Sequence, residues 1–337
     1  MPNVLLFSVL GIVAAGVGFE RLSRLRDRKQ FPPPDLREDI GGHRLHFRLR
    51  ADGGTAEGPV VVFEADAADW STHWGSIPGE IARDAAVLTY DRAGLGWSEP
   101  GPGPRTGETL ARELHSLIMR VAPDRKILMV AHGAGAHLAR IFAHRYPFET
   151  AGLVLIDPEH ERFDDLLRQR SMPLASTPTL FLRAILVANS LGLLRLFKIK
   201  PSLPDLENLV LQPRQRAALM ARGYEPQVLM TLLAEELARP ATLAQVAELK
   251  DRFEFPVRVL SAGATMNPGS APRDFPVDEF NRLWIEQAGE LLSLSSDAHQ
   301  DVVEASHHHV ALHSPERVAD AIRDALADVA ASSAEDS

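Results

Sequence analysis

The chain has 337 residues, 45% of them hydrophobic and none of them cysteine, so a large apolar core is available while disulfides, thiol nucleophiles and cysteine-ligated metals are excluded. A net charge of −9 argues against a nucleic-acid partner, because no basic patch offsets phosphate repulsion over the whole surface.

The chain opens on an uncharged run, VLLFSVLGIVAAGVGF from Val4 to Phe19, followed after Glu20 by the basic stretch RLSRLRDRK. As a helix the run is about 24 Å long, a little under a ~30 Å hydrocarbon core, and snorkelling arginines make up the difference. Residues 1–30 are therefore expected to form a membrane anchor with a basic flank, a single N-terminal span. The positive charges lie after the run, which predicts the body on the cytoplasmic side. A cleaved signal peptide is the competing assignment, and it lacks a basic segment ahead of the run. Phe31 to Asp35, FPPPD, reads as a stiff linker.

A strand alternates through HRLHFRLR, and 53–59 forms a polar turn. PVVVFEA is a buried strand by its continuous β-branched run, and AAVLTYD, KILMVA, GLVLID, PVRVLSA and DVVEA are strands of the same kind. Helical pattern separates them; Leu110, Leu114, Leu117, Ile118 and Val121 share one helical face. Strands alternating with helices predict an α/β fold with a mostly parallel central sheet and helices on both faces. The core is expected over 31–157 and 255–330. Pro158 to Glu254 contains no convincing strand and reads as a helical cap over the strand ends. Residues 331–337 are expected to be a disordered tail.

KILMVAHGAGA runs from a strand through a tight small-residue turn into HLARIFAHRY. That is the layout of a nucleophile elbow, G-x-S-x-G, with Gly133 at the serine position. Gly133 has no side chain to acylate.

YDRAGLGWSEPGPGPRT (Tyr90 to Thr106), this elbow, GLVLIDPEH and SHHHVALHSPERVADAI resemble the membrane-anchored bacterial branch of the α/β-hydrolase superfamily, over roughly 31 to 327. The resemblance implies the α/β-hydrolase fold and a site order of nucleophile, acid and histidine. On it, Gly133 holds the nucleophile position without a nucleophile, Asp157 is the acid and His308 the histidine. His307 and His309 remain minor candidates, Asp274 is a later acid, and Asp157 has the alternative role of capping the turn into Pro158. The same resemblance makes the backbone N–H groups of Ala67 and Ala134 the oxyanion donors. Where a glycine-rich turn is implied after PVVVFEA, this chain reads EADAADW, with Asp66, Ala68 and Asp69. A carboxylate 4 Å from a developing oxyanion costs about 4 kcal/mol at an effective dielectric near 20, close to a thousandfold in rate. Asp66 and Asp69 are therefore expected to spoil the site.

Other signals are weaker. His299, His307, His308, His309 and His313 invite a metal, but adjacent histidines on an extended segment point in alternating directions, and no metal or cofactor is expected. Asp66 as a carboxylate nucleophile would require a reorganised site. His132 is expected to pack, and Asp91 and Arg92 to form an ion-paired turn under the site's rim. The expected function is a degenerate hydrolase that binds a small apolar or ester-like ligand, or a partner, in the capped space. Two alternatives stand: a non-covalent lyase-type enzyme with His308 as general base, and an ester hydrolase, either knocked out at Gly133 or served by another nucleophile.

Overall fold

The structure, a computed structural model, describes residues 2–53, 58–67, 69–172, 179–199, 213–250, 252–271 and 273–335, without the side chains of 2–6, 9, 179, 270 and 333–335. Most of the expected 53–59 turn, Ala68 and parts of the expected cap lie outside the described residues. After helix α1 (Pro2–Gln30) come strands β1 (Leu36–Asp39), β2 (Arg44–Arg50), β3 (Val60–Glu64), β4 (Ala86–Tyr90), β5 (Ile127–His132), β6 (Thr150–Ile156), β7 (Val257–Ala264) and β8 (Ala298–His307). They form one eight-stranded sheet in the order β1-β2-β4-β3-β5-β6-β7-β8. The β1/β2 and β2/β4 pairs are antiparallel and the rest parallel. Strand β1, LRED, escapes detection in sequence because three polar residues and an exposed Leu36 carry no apolar period.

Alternation along the central strands feeds two cores. Val60 and Val62 pack on one face with α3 (Gly107–Val121) and α4 (Gly135–Arg145). Val61 and Phe63 pack on the other with α2 (Ile77–Ile81) and the C-terminal helix. Covered on both faces, strands β3 to β5 are buried along their whole length, which is why they read as unbroken apolar runs. Leu114, Leu117 and Ile118 of α3 are fully buried, with Leu110 and Val121 at the margin of the same core.

Between β6 and β7 the chain adds α5 (Phe163–Gln169), α6 (Thr179–Ser190), α7 (Leu193–Leu196), α8 (Pro213–Gly223) and α9 (Pro226–Ala247). Helices α10 (Val277–Glu290), α11 (Val310–His313) and α12 (Pro315–Glu335) complete the fold. Because α12 continues to Glu335, residues 331–335 are helical rather than a disordered tail; 336–337 lie outside the described residues.

The N-terminal expectation needs correction. Among the described residues, no helix is long and apolar enough to cross a membrane. Helix α1 runs without a break from the uncharged segment into its charged half. That half docks on the added helices: buried Glu20 accepts from Arg195 Nε at 2.9 Å, and Arg28 donates to both carboxylate oxygens of Glu225 at 2.9 and 3.0 Å. These ion pairs hold α1 against the body, so FPPPD does not space the two apart.

Candidate active site

Three loops at the C-terminal ends of parallel strands converge. The first follows β3 and carries Asp66. Buried Arg92 clamps it, donating Nη1 to Glu64 Oε1 at 2.6 Å and to Ala65 O at 2.7 Å, and Nη2 to Asp66 O at 2.8 Å. The expected ion-paired turn is present, with Arg92 paired to Glu64 rather than to its neighbour Asp91. Asp91 instead accepts from Ser71, from the Trp97 N–H at 2.9 Å, and lies 2.9 Å from His46 Nδ1. The clamp was missed because its partners are backbone carbonyls, which leave no mark on a sequence pattern.

The second loop is the elbow between β5 and α4. Gly133 has φ +54°, the left-handed region where a side chain is strained. A Cβ built there would lie 2.5 Å from Asp66 Cγ and 2.9 Å from Asp66 Oδ2. The volume of the missing side chain is thus filled by the Asp66 carboxylate. Asp66 Oδ1 accepts the Ala134 N–H at 2.7 Å, at the N-terminus of α4, where the helix dipole favours an anion. One of the two expected oxyanion donors, the Ala134 N–H, therefore holds Asp66 itself. Asp66 is the anion bound at that donor.

The third set comes from the ends of β6 and β8. Asp157, at φ +41°, is completely buried. Its Oδ1 accepts from Ala262 N, Thr265 Oγ1 and Trp284 Nε1 at 3.0–3.1 Å, and its Oδ2 accepts His308 Nδ1–H at 2.7 Å. Asp157 thus orients His308 rather than only capping a turn. On its other side, His308 Nε2 lies 3.0 Å from Asp66 Oδ2. His307 turns away to donate to Ala264 O, and Asp274 is exposed. Thr265 and Trp284 gave no sequence signal, since neither lies in a recognisable motif.

Electrostatics follow from this chain of contacts. Burial alone would raise the Asp66 carboxyl, but its bond to His308, the imidazolium charge and the Ala67 N–H outweigh burial and hold it well below the usual carboxylate range. Burial disfavours the His308 cation, yet its bonds to Asp157 and Asp66 raise the imidazole well above its ordinary value. At neutral pH the Asp66 carboxylate therefore faces an imidazolium at His308. His308 keeps 26% and Asp66 17% of side-chain surface, so both are reachable from outside.

Behind this trio lies a second polar group. Asp69 is buried 3.4 Å from His73 Nε2 and 3.9 Å from His309 Nδ1. Burial pushes its carboxyl up to about 7 and pushes His73, His132 and His309 down to about 4. His132 is buried, as expected, and donates Nε2–H to His308 O at 2.8 Å. On the cap side, Arg239 of α9 pairs with Glu159 and Asp164, and Glu235 lies 3.4 Å from Arg92. A cavity of about 590 Å³ lined by Phe31, Arg48, Trp97, Arg214 and Leu219 contains none of the trio.

The model of the alpha/beta hydrolase fold family matches residues 59–248, more than half of the chain. The chain is 31% identical over 119 residues to the uncharacterized protein YqjL of Bacillus subtilis strain 168, a match covering 35% of this chain and 46% of that protein. It thus spans about half the length of that relative. Among solved structures, a point mutant of an epoxide hydrolase from Bacillus megaterium, complexed with its diol product, superposes with a TM-score of 0.62 at 16% identity, covering 86% of this chain and 99% of that one. A thermophilic esterase from Thermogutta terrifontis superposes at 0.54 and 19% identity, covering 85% and 94%. At such identities the likeness shows a shared fold. With the family model, the parallel sheet and the elbow in agreement, this chain belongs to the α/β-hydrolase fold family.

Proposed function

We propose that this chain is a hydrolase for substrates with an electrophilic saturated carbon, and that Asp66 is its nucleophile. One observation carries the reading: the Asp66 carboxylate fills the space of the absent elbow side chain, with one oxygen on the Ala134 N–H and the other 3.0 Å from His308 Nε2. Acyl transfer is a poor use of this arrangement, because the Ala134 N–H that would stabilise a substrate oxyanion is already engaged by Asp66. Attack on saturated carbon needs no such oxyanion.

The steps follow from the contacts. Asp66 Oδ2 bonds to the substrate carbon as the carbon–oxygen bond of the leaving group breaks. The leaving oxygen keeps the bonding pair and takes the His308 proton. Esterified Asp66 is neutral, so His308 loses one of its two anionic neighbours and rests as a neutral base oriented by Asp157. A water then attacks Asp66 Cγ and gives its proton to His308. The oxyanion of this step forms on Asp66 Oδ1, where the Ala134 N–H and the α4 N-terminus already stand. Collapse expels the alcohol with the former Oδ2 and restores the carboxylate.

An epoxide is the first substrate to test, since the neighbour named above is an epoxide hydrolase. Incubating the His308→Gln variant with a primary alkyl halide, whose leaving halide needs no proton, should leave an alkyl ester on the peptide containing Asp66, visible by mass, while the unsubstituted chain turns over the epoxide. Absence of both adduct and turnover across epoxides and alkyl halides would remove this proposal. That outcome would leave a second reading, a non-catalytic protein binding a small apolar ligand or a partner. Its supporting observation is that both Asp66 oxygens are engaged and His308 is a cation, which also disfavours a resting general base for lyase chemistry.

Attachment to a lipid surface belongs to the same proposal. It is supported by the uncharged run and by exposed Phe7, Leu10 and Ile12 on α1. Vesicle flotation with and without residues 1–19 tests it.

A further inference from the structure

Asp69, His132 and His309 each offer one potential ligand atom, and these atoms all lie within 4.8 Å of one another. They come from three separate loops: after β3, at the elbow and after β8. His73 is a fourth neighbour. Together with Asp66 and Trp74 they line a small space of about 10 Å³, room for a single atom-sized guest. Two atoms at this space have no hydrogen-bond partner among the described residues, Asp69 Oδ1 and His73 Nε2, on side chains that are 2% and 5% exposed. Native interiors seldom leave such atoms unsatisfied.

We infer that Asp69, His132 and His309 bind one divalent cation of the zinc class, with His73 as the adjacent fourth donor. The donor types point there. Imidazoles with one carboxylate suit Zn²⁺, whereas Mg²⁺ and Ca²⁺ take oxygen ligands and keep waters that this space cannot hold. Tetrahedral Zn²⁺ with bonds of about 2.0–2.1 Å spaces its ligand atoms roughly 3.4 Å apart, so modest side-chain rotations close the set. His132 also has the outer partner that metal-bound histidines need: Nε2–H goes to the His308 carbonyl, which leaves the lone pair on Nδ1. The role is structural. The cation ties the Asp66 loop, the elbow and the His308 loop together through residues that do not touch substrate, and it is independent of the hydrolase proposal.

The test reads metal directly. The chain is stripped with a chelator, dialysed and titrated with Zn²⁺, and metal content is measured. One Zn²⁺ per chain is expected, with a rise in Tm of about 4 °C at a hundredfold excess over Kd. Co²⁺ in its place should give the intense visible bands of a tetrahedral site. Asp69→Asn and His309→Gln should each weaken Zn²⁺ binding by more than about 100-fold, beyond the effect of losing an outer partner. If either variant fails to fold, the Co²⁺ spectrum of the unsubstituted chain decides. Substoichiometric Zn²⁺, an octahedral Co²⁺ spectrum, or unchanged affinity in a folded Asp69→Asn variant would each overturn the inference and leave a hydrogen-bonded Asp69 cluster.

Discussion

The two halves of the site are built on different terms. On the acid and histidine side, Asp157 is completely buried and meets four donors, one of them His308. The pairing of acid and histidine there is the one the family resemblance implies. On the nucleophile side, the elbow keeps its left-handed backbone at Gly133 but hands its side-chain volume to Asp66, a residue of the facing loop. The lesson is that an active-site position is a place in space, and a different segment can fill it. What the place requires is a group bonded to the Ala134 N–H and within reach of His308, and a carboxylate satisfies both.

Predictions that test this contrast run from the largest effect to the smallest. Asp66→Ala should lower turnover of an epoxide by about 10⁴-fold or more, the scale of losing a member of a catalytic unit. Turnover that survives the change would place the chemistry elsewhere. Arg92→Met should cost about 3–5 kcal/mol in urea unfolding, because Glu64 would stay buried without its cation. A loss below about 1 kcal/mol would mean the Asp66 loop holds its shape without the clamp. Gly133→Ser should cost roughly 2–3 kcal/mol through overlap with Asp66 and a left-handed backbone, and should confer no ester hydrolysis. Pairing it with Asp66→Gly should relieve the overlap and yield measurable turnover of short p-nitrophenyl esters. If Gly133→Ser alone restores esterase activity, Asp66 does not hold the nucleophile's place.

The smallest effect concerns pH. His137 on α4 is buried without a partner for Nε2 among the described residues, and burial pushes its imidazole down to about 3. A depressed folded value means stability present above the unfolded value near 6.5 and lost as pH falls from there toward 3. His137→Leu should therefore remove about 1–2 kcal/mol of the destabilisation between pH 7 and pH 5, measured by urea unfolding at both. An unchanged pH dependence would show that other groups carry it.

How much of this was legible in sequence varies by residue. Strands β3 to β6 were readable because burial on both faces demands unbroken apolar runs, and Asp157 and His308 because fixed motifs precede or surround them. Strand β1 was not, since an exposed four-residue edge needs no pattern. Asp66 was legible as a charge at odds with a substrate oxyanion; that it is itself bound by the Ala134 N–H was not, because that contact joins two loops far apart in the chain. Asp69 was grouped with it, and the structure separates them, one on His308 and the other among His73, His132 and His309.

By itself the sequence determined the alternation of strands and helices and the lack of a side chain at Gly133, because periodicity and local turn chemistry act over a few residues; the pairing of an acid with a histidine was legible only as what the family resemblance implies. Only the tertiary structure decided what occupies the space beside Gly133. Asp66 and Ala134 meet across adjacent parallel strands β3 and β5, and whether a carboxylate there repels or binds depends on donor directions that no linear pattern encodes.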